Sequence, residues 1–250
     1  MFYLFSTQFY SKLTSTTENQ HRNVSRWTKD VNIFDGGKIL LVPINEPDPV
    51  PHWYLVMVLL PDRNKDSGTF PYIVVLDSID GKRDAEGGII RNYLLEELKT
   101  KENMRSSDFF GLEKELKKME IIYPKIPRQL DSSSCGLFVI FYVKNIVTSY
   151  LKNGMSQILR NRETWFENGE IKRMRFELAC KIIESAASQG KTIDMPTFQL
   201  FPTPAEDRAE KSKWREIIDP DTSYSEYIEH IKRTQTDITL RRTYNFLYEN

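Results

Sequence analysis

Between residues 38 and 77 the chain carries three short, almost uninterrupted apolar runs, and no other feature restricts its fold as much. They span residues 38–44, 52–60 and 72–77 and are bounded by Gly, Pro and Asp. A strand with one solvated face alternates apolar and polar residues. A run that is apolar throughout suits a strand covered on both faces. Residues 121–123 read as a fourth strand. Helical spacing is expected over 2–13, over 89–101 with Ile90, Leu94 and Leu98 on one face, from Cys135 to about Leu151, and near 169–187. The segment 26–29 opens a short helix or extended piece that closes at the turn signal Asp35-Gly36-Gly37. The expected class is α+β, with one domain over 1–187.

The remainder, 188–250, changes character. Pro196, Pro202 and Pro204 punctuate it, and its later part is charged, with weak helical patterns near 205–217 and 224–234. It reads as a solvated, partly helical tail.

Composition narrows the function. The 35 Lys and Arg balance the 35 Asp and Glu, which argues against a dedicated nucleic-acid binder. With 14 Phe, 12 Tyr and 4 Trp there is ample material for a core. Two cysteines exclude a disulfide framework and a cysteine-rich zinc site. The apolar N-terminus lacks a basic flank, and the longest apolar run, 136–143, is far short of the ~20 residues of a membrane-spanning helix. The expected setting is intracellular and reducing, where a lone Cys is a thiol.

Few reactive side chains remain. Cys135 follows Ser132-Ser133-Ser134 and opens an apolar helix. Serines are good N-caps, and the positive end of a helix dipole favours thiolate. Cys180, inside Leu178-Ala179-Cys180-Lys181-Ile182, has none of these features and reads as a packing residue. A nucleophilic thiol needs a base, and the base an orienting group. His52 begins the second apolar run and Asp77 ends the third, so antiparallel pairing of the two sets them side by side. His21 and His230 read as solvated. Gln129, in the loop ahead of Cys135, can offer an amide N–H to an oxyanion. Trp53, next to His52, can wall an extended substrate.

Taken in order, these residues carry a resemblance. The segment Arg26-Trp27-Thr28-Lys29-Asp30-Val31-Asn32-Ile33-Phe34, then Val42-Pro43-Ile44-Asn45, His52-Trp53-Tyr54-Leu55, Leu76-Asp77-Ser78, and Gln129 with Cys135-Gly136 resemble the Ulp/SENP family of SUMO-processing cysteine proteases. Phe9-Tyr10-Ser11-Lys12-Leu13 and the Arg-Trp-Thr segment are most similar to its Ulp2-type branch. The resemblance implies a papain-like architecture, a central mixed sheet flanked by helices with the nucleophile at a helix N-terminus. It implies Cys135 as nucleophile, His52 as general base, Asp77 as its orienter, Gln129 as oxyanion donor and Trp53 as one wall of a tunnel for a Gly-Gly tail. The implied partners are SUMO and SUMO-conjugated proteins. No cofactor, metal, nucleic acid or membrane is implied, and residence is nuclear or cytoplasmic, with the family favouring the nucleus. The alternatives are a catalytically impaired SUMO-binding scaffold and a protease for another ubiquitin-like modifier.

Three departures from the family pattern carry expectations. Ser134 stands where the family places an Asp before the nucleophile, which removes a carboxylate that helps order the loop. The family domain begins further upstream, so 1–187 is expected to be short at its front, where the other tunnel wall arises. The 188–250 tail runs past the usual domain end.

Overall fold

The computed structural model describes residues 2–34, 37–47, 51–60, 71–101, 106–154, 158 and 162–190. The elements run β1 (Phe2–Leu4), α1 (Phe9–Leu13), a 3-10 turn (Gln20–Asn23), β2 (Ile39–Glu46), β3 (His52–Leu59), β4 (Tyr72–Leu76), α2 (Asp84–Thr100), α3 (Ser106–Lys117), β5 (Glu120–Ile122), α4 (Cys135–Asn153), a second 3-10 turn (Arg162–Thr164) and α5 (Asn168–Ser188). The chain divides into two units, Met1–Asn168 and Gly169–Asn250. The sheet and α1 to α4 belong to the first.

The fold is α+β around one mixed sheet, ordered β1-β2-β3-β4-β5. The central pairs β2–β3 and β3–β4 are antiparallel, and the outer pairs β1–β2 and β4–β5 are parallel. Both faces are covered, which is why the central runs are apolar throughout. On one face Leu40, Val42, Ile44, Tyr54, Val56, Val58, Ile73 and Val75 join residues of α1, α2 and α3 in a single cluster. The alternate positions Leu55 and Met57 are equally buried, and α4 packs on β3 with Phe138, Tyr142 and Ile146 inward. Strand alternation therefore sorts one continuous run into two layers.

Residues 2–13 correct the expectation of one helix. Phe2 to Leu4 pair in parallel with Ile39 to Leu41, and the Phe5 N–H donates to the Leu41 carbonyl at 2.9 Å. Only Phe9–Leu13 is helical. Phe5, Phe9 and Leu13 are all buried, so the apolar stripe is genuine. What spacing does not report is that an open sheet edge captures the backbone ahead of it. Residues 26–29 form turns, with Thr28 fully buried.

Helix α2 starts ahead of the expected 89–101, at Asp84, with Gly87 and Gly88 inside it. A Cβ at Gly87 would stand 2.5 Å from Ile121 Cδ1, so the glycine admits close approach of α2 to β5, whereas Gly88 faces open space. Helix α3 was not expected; its Leu112 and Leu116 are buried. Gly154, at φ 74°, closes α4 in a conformation that glycine adopts freely. The weak helical patterns at 205–217 and 224–234 lie outside the described residues, as does His230. Among the described residues, no helix is long and apolar enough to cross a membrane.

Candidate active site

The site is built on strand register. Tyr54 is the last residue of β3 before the Leu55–Leu76 pair, so the next residue after β4, Asp77, falls opposite it. His52 precedes Tyr54 by two residues, on the same face, and is therefore the diagonal neighbour of Asp77. The side chains meet: His52 Nε2 lies 2.7 Å from Asp77 Oδ1, with both residues buried. A carboxylate accepts, so Nε2 carries the proton and Nδ1 is the ring nitrogen left for further proton transfer.

The carboxylate is held from several directions. Asp77 Oδ1 also accepts from the Ile79 N–H at 3.0 Å, and Oδ2 accepts from Arg83 Nε at 2.9 Å. Arg83 Nη1 donates to Glu46 Oε2 at 2.6 Å, and Glu46 pairs directly with His52 across β2–β3. The Tyr54 hydroxyl donates to Glu46 Oε1 at 3.0 Å. The Tyr54 ring stacks near His52, with centroids 6.0 Å apart, and the Arg83 guanidinium lies 4.3 Å from the Tyr54 centroid. Burial works to lower the Arg83 pKa, but the neighbouring carboxylates of Asp77 and Glu46 outweigh it and hold the group above its usual value. Burial, then Glu46, raise the Tyr54 phenol well above its usual value, so it remains a donor. Glu86, at the start of α2, is also raised, by burial and by its bond to Glu46.

Cys135 is the first residue of α4, buried and carrying a free thiol. The first N–H groups of a helix lack intrahelical acceptors and point a partial positive charge at this position. Ser134 is the N-cap, but its side chain does not cap the helix. Its hydroxyl turns back to donate to Asp131 Oδ2 at 2.6 Å, while Asp131 Oδ1 accepts the N–H groups of Ser133 and Ser134 at 2.8 and 2.7 Å. The position before Cys135 thus has no carboxylate, as its Ser requires, yet the loop has one from elsewhere. The carboxylate comes from Asp131, which sits far enough back for an Asx turn to wrap around it.

Gln129 ties this loop to the one after β4. Its N–H donates to the Ser78 carbonyl at 3.1 Å and its Oε1 accepts from Ser78 Oγ at 2.6 Å. Its Nε2 donates to the Asp131 carbonyl at 2.7 Å, which uses one of the two amide hydrogens. Trp53 turns away from His52 and toward α4: a Cβ placed on Gly136 would lie 3.7 Å from Trp53 Cδ1. The starts of β3 and of α4 therefore adjoin through this ring. The Tyr142 hydroxyl fixes the approach to the loop by donating to the Pro127 carbonyl at 2.7 Å.

Four contributors escaped the sequence reading. Glu46 had a signal, since it ends one strand of a hairpin whose other strand His52 begins. Asp131 had one too, as an Asp just ahead of a serine run. Arg83 and Tyr54 had none, because their roles arise from contacts across elements. His21, expected to be solvated, is instead paired with buried Glu97 at 2.7 Å, and Thr28 Oγ1 donates to the same carboxylate at 2.6 Å. Cys180 is in α5, and its side chain lies outside the described residues. Among the described residues, no group of three or more His, Cys, Asp and Glu side chains is arranged to hold a metal ion.

Comparison with known proteins identifies the family and the fold. The model of the Ulp1 protease family, C-terminal catalytic domain, matches residues 2–189. Ubiquitin-like-specific protease 2 of Schizosaccharomyces pombe is 27% identical over 177 residues, covering 57% of this chain and 26% of the relative. Human Sentrin-specific protease 2 is 38% identical over 144 residues, covering 58% of this chain and 21% of the relative. The match thus spans about a quarter or less of these relatives' lengths. A crystal structure of a de-sumoylating protease superposes with a TM-score of 0.51 at 19% identity, over 68% of this chain and 64% of that one, a likeness of fold.

Proposed function

Since the chain belongs to the Ulp1 protease family, we propose that it is a cysteine protease that releases SUMO from lysine side chains, and SUMO from its precursors, by acyl transfer through a thioester. Residues 1–187 form the catalytic domain in this reading. The observation that carries it is the buried His52–Asp77 pair at 2.7 Å, which occupies Nε2 and leaves Nδ1 as the working nitrogen. The names of the relatives in fission yeast and human, specific for ubiquitin-like protein and for sentrin, support the choice of modifier.

The steps follow from the groups present. The Cys135 thiolate attacks the carbonyl carbon of the modifier's C-terminal glycine, forming a C–S bond. The oxyanion accepts from the Cys135 backbone N–H and from the spare Gln129 amide hydrogen. His52, protonated on Nδ1, gives that proton to the lysine nitrogen as the C–N bond breaks. It then takes a proton from water, whose oxygen attacks the thioester and returns Cys135. Asp77 keeps the imidazole in one orientation and stabilises its charged form. Trp53, beside Gly136, walls the approach so that residues without side chains pass, a selection by exclusion.

The test is a SUMO bearing a C-terminal electrophile, offered to the full chain and to Cys135→Ala. A covalent adduct that requires Cys135 is expected. SUMO binding without an adduct would mark a scaffold, and reaction only with another ubiquitin-like modifier would change the substrate. Nuclear residence belongs to the same reading, and imaging of a fluorescent fusion checks it.

A further inference from the structure

The His52–Asp77 pair does not stand alone. Behind it lies a chain of charges that the catalytic steps do not consume: Asp77, Arg83 and Glu46, closed by Tyr54. Arg83 Nε reaches Asp77 Oδ2 at 2.9 Å and Nη1 reaches Glu46 Oε2 at 2.6 Å, with the guanidinium over the Tyr54 ring. The Arg83 side chain is largely buried, and so is that of Asp77. The backbone makes room for the fork. A Cβ at Gly81 would stand 2.6 Å from Asp77 Oδ2 and 3.0 Å from Arg83 Nε.

We propose that Arg83 is a positioning residue, a guanidinium fork that holds Asp77 Oδ2 and Glu46 together so that Oδ1 is turned to His52. The proposal rests on the reading of Cys135, His52 and Asp77 as one catalytic set. Its chemistry is that of the guanidinium group, whose planar donors engage two carboxylates in a set geometry where an ammonium acts as a point charge. Sharing Arg83 settles which Asp77 oxygen faces the imidazole, since Oδ2 is taken.

Charge makes Arg83 necessary as well as geometry. Three carboxyl groups lie around it, Asp77 after β4, Glu46 on β2 and Glu86 on α2, with Glu86 also beside Glu46. Tyr10 of α1 and Tyr54 of β3 face the same group, and Tyr142 of α4 faces Asp77. Without the guanidinium, Asp77 Oδ2 and Glu46 lose the donor they share. Oδ1 is then free to turn away from His52, and the imidazole loses the partner that orients it toward Cys135.

Alkylation of Cys135 by iodoacetamide as a function of pH tests this without needing SUMO. The full chain is used, with Cys135→Ala defining the background from Cys180. Circular dichroism confirms that each variant is folded. In Arg83→Gln the acid limb of the profile moves to higher pH and the rate at pH 7 falls roughly 10-fold, less than the ~10²–10⁴ an acid–base partner itself carries. Arg83→Lys returns the acid limb toward the parent position but not the full rate, because charge returns without the fork. Gly81→Ala, which changes no charge, lowers the rate by pushing the pair apart; Gly88→Ala changes nothing. Wild-type profiles in folded Arg83→Gln and Gly81→Ala overturn the proposal, and Gly81→Ala with Arg83→Lys decides it if Arg83→Gln does not fold. A parent chain whose Cys135 titrates as an ordinary thiol overturns both this proposal and the catalytic set. Perturbed titration without a SUMO adduct overturns only the substrate.

Discussion

Asp131 and Glu97 are two acidic residues with opposite surroundings and comparable structural weight. Asp131 gathers two N–H groups and the Ser134 hydroxyl directly ahead of Cys135. Asp131→Ala removes the carboxylate that gathers those donors, so it should cost about 1 kcal/mol and slow Cys135 alkylation. Asp131→Asn keeps a carbonyl oxygen for the N–H groups and should recover most of the loss; urea denaturation and alkylation rates check both. Glu97 is almost fully buried. Burial works to raise its pKa, but bonds from His21, Thr28 and Lys101 together hold it below the usual glutamate value. A depressed folded pKa means that the stabilisation is complete above the unfolded value of about 4.3 and is lost as pH falls through the folded value. Parent stability should therefore drop below about pH 4, while Glu97→Gln, weaker at pH 7, lacks this component of the drop. Denaturation midpoints from pH 3 to 7 measure the convergence.

At the scale of elements, α2 carries two adjacent glycines that look alike in sequence and behave differently in the fold. Gly87→Ala puts a methyl against Ile121 of β5 and should cost about 1–3 kcal/mol, unless the end of the Ile121 side chain swings aside. Gly88→Ala meets nothing and should stabilise by up to about 1 kcal/mol through the helix preference of alanine. Thermal unfolding of the two variants should shift in opposite directions, which a uniform helix-propensity effect cannot produce. The same contrast explains why the start of α2 was not legible: two glycines together read as a turn, and only the neighbouring strand distinguishes them. The break at residues 5–8 has a similar cause, since the stripe Phe5, Phe9 and Leu13 suits a helix but β2 offers Leu41 to the backbone first.

For the whole molecule, the division at Asn168 and Gly169 sets the sheet, His52, Asp77, Gln129 and Cys135 within one unit. The family match extends to residue 189. A chain ending at residue 190 should keep the pH dependence of Cys135 alkylation, because every contact described for the site is made by residues before 169. Loss of that profile on truncation would give residues 191–250 a part in holding the site, against the reading of 188–250 as a solvated tail.

What the sequence by itself determined is the inventory and the order. Apolar runs with no alternation require strands covered on both faces, and their order brings His52 and Asp77 to matching ends of a hairpin. A serine run before an apolar helix marks Cys135, and the scarcity of Cys and His leaves few other candidates. All of these are local or follow from pairing neighbours in the chain. Tertiary structure alone decided which groups serve them. Arg83 meets Glu46 across 37 positions and His21 meets Glu97 across 76. No periodicity reports such contacts, because they depend on where whole elements come to rest. Asp131 orders the loop before Cys135 for a related reason: the path of the loop into α4 turns the Ser134 hydroxyl back to Asp131 instead of onto the first turn of the helix.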